Sequence, residues 1–245
     1  MLFKIIGIIR CRSARLVLWR FRFGIYTFEM NQIVQKSAQP TRTNDPARTM
    51  AEILEVATTE FADKGLSGAR IDEIAAATRT SKRMIYYYFG SKEGLYVAVL
   101  EEAYRSMRQI ESSLHLNDLD PEEALKRLVA FTFDHHSANE YYVRLVMNEN
   151  IQRGQYLSQS KIIQQLNVPA IEAIRHLYER GVKAGVFRQG LDAVDIHASI
   201  SALTFFNVSN KHTFGLIFKR GKASAAAVAL RRQNIVEMVL RFVQT

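Results

Sequence analysis

From Asp45 onward the apolar residues of this chain return every third or fourth position, and the breaks fall at residues that start or stop helices. Asp45-Pro46 reads as an N-cap followed by proline at the first helical position. Met50, Ile53, Leu54, Ala57 and Phe61 then form one stripe that ends at Lys64-Gly65. Ile71, Ile74 and Ala75 form the buried face of a second helix of barely two turns. The polar "TRTS" supplies a turn and a cap, and a third helix runs from about Ser81 to Phe89 with Ile85 and Phe89 inward. Ser91 opens a long helix whose stripe, Leu95, Val99, Ala103, Met107, Ile110 and Leu114, continues for about five turns and ties the first three helices to the larger C-terminal part of the chain.

The same periodicity continues to the end of the chain. Asp120, Pro121 and Glu123 form a capping-box signal. A helix over about 138–150 turns Tyr142, Leu145 and Val146 inward, and residues 157–184 hold one or two more, with Ile171, Ile174, Leu177 and Tyr178 inward and Gly185 as the stop. Asp192 starts another helix, and a last one carries Val228, Ile235, Val239 and Phe242 on one stripe. Only four prolines and twelve glycines punctuate 245 residues, 48% of them hydrophobic, without the regular turn signals of a sandwich or barrel. The expectation is an all-α protein of about nine helices, large enough to bury a core without staples.

Charge divides the chain. Residues 1–47 carry eight Lys/Arg against two acids, and residues 48–94 carry seven against seven. In the second segment Glu52, Glu55, Glu60, Asp63, Asp72 and Glu73 precede Arg79, Lys82, Arg83 and Lys92, so one end suits a polyanion better than the other. Cys11 is the only cysteine, which excludes an intramolecular disulfide and a Cys-based zinc site and fits a reducing, cytoplasmic setting. The first thirty residues interrupt short apolar runs with arginine, and none approaches the roughly 20 residues a membrane span needs. They read as a basic amphipathic arm, a transit-like leader, or sequence upstream of a start at Met30; the polar "KSAQPTRTNDPA" after them reads as a linker. The resulting division is an arm and linker over 1–45, a small three-helix domain over 46–94, and a larger helical domain over 95–245.

Residues 81–96, "SKRMIYYYFGSKEGLY", pose a problem: Tyr86, Tyr87 and Tyr88 fan round a helix and cannot all be buried. Three short helices, the second and third joined by a tight turn, make a helix-turn-helix arrangement. In that arrangement Ser81, Lys82 and Arg83 open the helix that enters a major groove, where they address base edges. Each tyrosine has an apolar body for packing and a hydroxyl for a phosphate oxygen, and Lys92 beside the next helix start is a second phosphate clamp. Binding of this kind weakens steeply as salt rises.

The pattern Ile53-Leu54, Ala57, Phe61, Gly65, Ile71, Ile74-Ala75, Ser81, Tyr86, Phe89, Lys92 and Leu95 resembles the DNA-binding domain of TetR-type transcriptional regulators over about fifty residues. The resemblance implies that Tyr86 and Tyr87 touch the DNA backbone, and that Tyr88 fills a position often held by histidine. Members often have glycine and valine where this chain has Arg79 and Thr80, and threonines where it has Ala69 and Arg70. Arg70 and Arg79 then add phosphate contacts in place of the missing hydroxyls. The resemblance further implies a ligand-binding and dimerisation domain over about 97–245, a homodimer through about 193–210 and 224–243, a pseudo-palindromic double-stranded DNA operator, and repression relieved by a small-molecule effector. It implies no cofactor, no metal and no membrane.

For the effector the sequence offers Phe131, Tyr142, Met147, His176, Phe205, Phe206 and Asn207 as pocket candidates. No P-loop, GxSxG or HExxH supports an enzyme. "DHHSANE" gathers Asp134, His135, His136 and Glu140, but adjacent histidines point about 100° apart on a helix, which disfavours a metal site. A membrane-surface protein would use the basic arm yet leave 48–96 unexplained.

Overall fold

The computed structural model describes residues 45–245 apart from 220 and 222; the arm, Cys11, Met30 and most of the linker lie outside the described residues. The described residues form α1 (Pro46–Gly68), α2 (Ile71–Ala77), α3 (Lys82–Phe89), α4 (Lys92–Ser112), α5 (Pro121–Ala138), α6 (Glu140–Ile151), α7 (Lys161–Lys183), α8 (Ala193–Ser209), α9 (Lys211–Ile217) and α10 (Ala225–Val243). Two 3-10 turns, Leu116–Asp118 and Leu157–Gln159, stand between them. Among the described residues there is no strand, only an isolated bridge between Phe187 and Gln244.

The caps match the sequence closely at four starts, one of them Ser81 before α3. Asp45 accepts from the amides of Ala47 and Arg48, Ser91 from Gly94, and Asp192 from Val194. The capping box at Asp120 does not form: its side chain accepts no capping bond, and Glu123 pairs with Lys126 instead, so proline and the acidic first turn start α5. The expected stop at Gly65 is a kink, with φ 67° and ψ 176°, beyond which one further turn is added. Residues 157–184 make one long helix despite Pro169, and α9 is an additional short helix that starts without a side-chain cap. The α4 stripe is shorter than expected: Leu95, Val99, Ala103 and Met107 are buried, Ile110 is 46% exposed, and Leu114 lies past the helix end.

The buried residues form two clusters. One joins α1, α2 and α3 to α4, α6 and the start of α7 around Phe61, Ile74, Ile85, Tyr96 and Leu145. The other packs α5, the second half of α7, α8 and α10 around Leu128, Ile174, Leu177, Ile200, Ile235 and Val239. Val228, expected inward, is 40% exposed. No described helix is long and apolar enough to cross a membrane.

Candidate nucleic-acid interface

The turn between α2 and α3 is set by backbone bonds that leave the entry to α3 outward. The Thr78 and Thr80 amides donate to the Ile74 and Ala75 carbonyls at 3.0 Å each, and the Arg79 amide donates to Ala76 at 3.2 Å. Arg79 holds the left-handed φ of 52° that glycine tolerates without strain. We therefore expect Arg79→Val to cost about 1–2 kcal/mol, because a β-branched side chain is a severe outlier there, and Arg79→Asn to cost far less. Thermal melts of the two variants check this; equal losses would mean that the turn relaxes around the side chain.

Ser81 caps α3, its Oγ accepting from the Met84 amide at 3.2 Å, while its own hydroxyl proton remains available to donate. Only Ile85 of α3 is fully buried. The consequence for the tyrosine run is a clear division. Tyr87 is 77% exposed and Tyr86 43% exposed, whereas Tyr88 is half-buried, with its ring edge-on to Tyr87 and Phe89 at 5.3 and 6.3 Å. One tyrosine of the three therefore packs against the first cluster and two face out.

The cations differ in what they already hold. Lys82 is paired with Asp72, and Arg70 stands 4.0 Å from the same carboxylate. Arg83 is exposed and makes no ion pair among the described residues. Arg79 is exposed and Thr80 half-buried. Lys92 is the first residue of α4, and its Nζ donates to the Ser67 carbonyl at 3.4 Å. Ammonium at a helix N-terminus is unfavourable with respect to the helix dipole unless an anion joins it. Seven of the ten sequence candidates, Arg70, Arg79, Ser81, Lys82, Arg83, Tyr86 and Tyr87, are exposed on or beside α3; Thr80, Tyr88 and Lys92 are partly covered.

Two residues with no signal in the sequence hold this unit to α6. Arg144 donates from Nε to the Ala62 carbonyl at 2.9 Å and from a terminal nitrogen to Asp63 at 3.3 Å. Asn148 donates to the Phe61 carbonyl at 3.2 Å. These carbonyls lie in the turn just before the Gly65 kink, so α6 braces the end of α1. A single sequence shows Arg144 and Asn148 only as polar positions on an amphipathic helix.

The pocket candidates separate into three places. Met147, Phe205 and Phe206 line an open cleft of about 430 Å³ between α6 and α8 with Asn150, Ile151 and Asn210. Tyr142 and Phe131 belong to a ring cluster behind it: Tyr142 stacks on His136 at 5.8 Å and meets Tyr104 edge-on at 5.6 Å, and Phe131 lies 5.7 Å from His135. Phe205 also meets His136 at 5.6 Å and so borders both. His176 is exposed on α7, its Nδ1 3.2 Å from Asn117, and Asn207 accepts from Arg231 of α10 at 3.0 Å; neither joins the cleft. The "DHHSANE" residues scatter likewise. Asp134 holds Arg232, Glu140 holds Lys211, and no group of three metal-binding side chains occurs among the described residues. Burial, helped by Arg108, pushes His135 and His197 down.

Comparison with known proteins settles the family. Residues 53–99 match the family described as "Bacterial regulatory proteins, tetR family", and residues 121–239 match "Tetracyclin repressor-like, C-terminal domain". The HTH-type transcriptional repressor NicS of Pseudomonas putida is 34% identical over 200 residues, covering 82% of this chain and 94% of that protein. The chain belongs to the TetR family.

It is accordingly a DNA-binding transcriptional regulator and not an enzyme. The HTH-type transcriptional repressor SCO4008 of Streptomyces coelicolor is 37% identical over 139 residues, covering 56% of this TetR-family chain and 69% of its own length. A solved structure of SCO4942 from Streptomyces coelicolor superposes with a TM-score of 0.59 at 26% identity, covering 80% of this chain and 98% of that one. The structure of KstR2 of Mycobacterium tuberculosis, at 20% identity and a TM-score of 0.60 over 80% of this chain and 95% of that one, shares the fold.

Proposed function

We propose that this TetR-family protein is a cytoplasmic repressor that binds a pseudo-palindromic operator as a homodimer and lets go when a small molecule enters its C-terminal region. The observation that carries the reading is the two-sidedness of α3, with Ile85 fully buried and Arg83, Tyr86 and Tyr87 exposed. Residues 46–94 form the reading unit and residues 95–245 the effector and dimer region. Ser81, Lys82 and Arg83 face bases; Tyr86, Tyr87 and Lys92, with Arg70 and Arg79, hold phosphates; Thr80 and Tyr88 support the turn and the helix.

Dimerisation draws support from the exposed apolar residues of α8, α9 and α10. Phe206 is 44%, Leu216 81%, Val228 40% and Leu230 60% exposed, more apolar surface than scattered single residues present. A two-fold dimer doubles the few base pairs one short helix can read. The effector signal has a physical route in α6, which lines the cleft with Met147 and holds the kinked end of α1 with Arg144 and Asn148.

Tyr87→Phe removes one phosphate-directed hydroxyl and is expected to weaken binding about 3–10-fold on every duplex. Arg83→Ala is expected to lose about 10–100-fold on the preferred operator and to change which sequence is preferred. Gel shifts of both variants on the protein's own promoter region and on a random duplex of equal length check the contrast. Equal weakening on all duplexes would remove Arg83 from base reading, and a wild-type protein that binds both DNAs equally would remove the regulator itself.

A further inference from the structure

Where α4, α5, α6 and α8 meet, one buried guanidinium has a donor that nothing takes up. Arg108 projects there from α4 with only 9% of its side chain exposed. Its guanidinium carries five N–H donors. Glu111, one turn on and itself 11% exposed, takes one terminal nitrogen, and Nε has no acceptor. A buried donor left without a partner costs free energy, so its persistence calls for an explanation.

The groups within electrostatic reach of Arg108 supply no second anion. From α4 come Tyr104 and Glu111, from α5 His135 and His136, from α6 Tyr142, and from α8 His197. The imidazoles are shifted toward the neutral form, first by burial and then by the Arg108 charge or by one another. Glu111 is therefore the one carboxylate set against Arg108 among these residues. Around them stand flat rings: Tyr142 parallel to His136 within 12°, and Phe205 at right angles to His136 with its ring also forming a wall of the 430 Å³ cleft.

We propose that this interior is the effector site and that the effector is a small organic carboxylate, its anionic head held by Arg108 and its flat or apolar body set against Tyr142, His136 and Phe205. This rests on the reading of the protein as a ligand-released regulator and deepens it by naming the ligand chemistry. The head satisfies the open Nε and competes with Glu111 for the guanidinium. A bidentate fork suits a carboxylate better than a neutral amide of the same shape. Binding there also draws on Tyr142 of α6, the helix whose Arg144 and Asn148 grip the end of α1.

The test uses benzoate and benzamide as isosteric probes on the full-length protein. At about 10 mM, benzoate is expected to raise the melting temperature by about 3–5 °C if it binds with a millimolar Kd, and benzamide to raise it by less than about 1 °C. Arg108→Gln should abolish the benzoate shift. Glu111→Gln keeps Arg108, removes its internal competitor, and should bind benzoate about 5–10-fold more tightly. The proposal is overturned if benzamide matches benzoate, if Arg108→Gln retains the shift, or if benzoate stabilises neither wild type nor Glu111→Gln. Operator binding by the same unliganded preparations separates the two readings: intact binding without a benzoate effect removes the carboxylate site alone, and absent binding removes the regulator.

Discussion

Replacing Gly94 by alanine is expected to abolish useful operator binding and to lower the melting temperature by about 5–10 °C. A Cβ at this position would lie 2.1 Å from the Phe89 carbonyl oxygen, a backbone atom that cannot turn aside. Phe89 ends α3 and Gly94 lies in the first turn of α4, so relief requires the two helices to separate at their junction. Overpacking of this kind costs about 2–3 kcal/mol, and each kcal/mol moves the melting temperature of a chain this size by about 2–4 °C. The larger effect falls on DNA. Tyr86 and Tyr87 ride on α3 and Lys92 on α4, and a shift between the helices spoils the joint spacing of the proposed phosphate contacts, hydrogen bonds to a charged group worth about 1–3 kcal/mol each. We expect a loss of about 30–100-fold or more, read by gel shift beside thermal melts. A variant that melts normally and shifts the operator normally would show that the α3–α4 junction has room for the methyl group.

Acid is the second strong lever. Burial, followed by His135, Arg108 and His197, pushes the His136 imidazole down from 6.5 to about 4, and His135 and His197 move in the same direction. A base whose folded pKa lies below its unfolded value binds protons more readily once the chain unfolds. Stability is therefore complete above about pH 6.5 and falls as pH drops toward 4. At about 1.4 kcal/mol per unit, His136 alone withdraws about 2 kcal/mol by pH 5, a melting-temperature drop of about 4–8 °C. His136 Nδ1 lies 3.1 Å from the Thr204 hydroxyl, so His136→Gln preserves hydrogen-bonding capacity while removing the titration. The variant should show a flatter melting profile between pH 7 and 5. Identical slopes for variant and wild type would assign the acid sensitivity elsewhere.

Whether a feature is legible in the sequence depends on whether it is local. Caps at Asp45, Ser91 and Asp192 are satisfied within three residues of themselves, so these helix starts can be read directly. Asp120 looks the same in one dimension, but its side chain makes no capping bond and Glu123 reaches Lys126 instead. The stripe of α4 reads as longer than its buried face, out to Ile110, because periodicity reports that a face is apolar, not whether another helix arrives to cover it. The tyrosine run is resolved only by packing: all three residues are the same type, and their different exposures come from where α4 and the first cluster lie. Among the pocket candidates, Met147, Phe205 and Phe206 share a cleft because α6 and α8 are neighbours, while His176 stands on a helix face that looks elsewhere. Arg144 and Asn148 carry no signal in one dimension, since each acts on a partner set by the fold rather than by spacing, and the spacing of Arg108 to Glu111 shows an ordinary helical ion pair without its burial.

The pairing of Lys82 with Asp72 has a consequence for how salt would act on this protein. A lysine that already carries its own carboxylate does not gather a mobile chloride of its own, and when it moves into the groove it hands the cation requirement back to Asp72. The net number of small ions exchanged on binding is then smaller than the number of basic side chains at the groove. A logarithmic plot of affinity against salt would undercount the contacts, and Asp72→Asn would make that plot steeper by about one ion while strengthening binding at low salt.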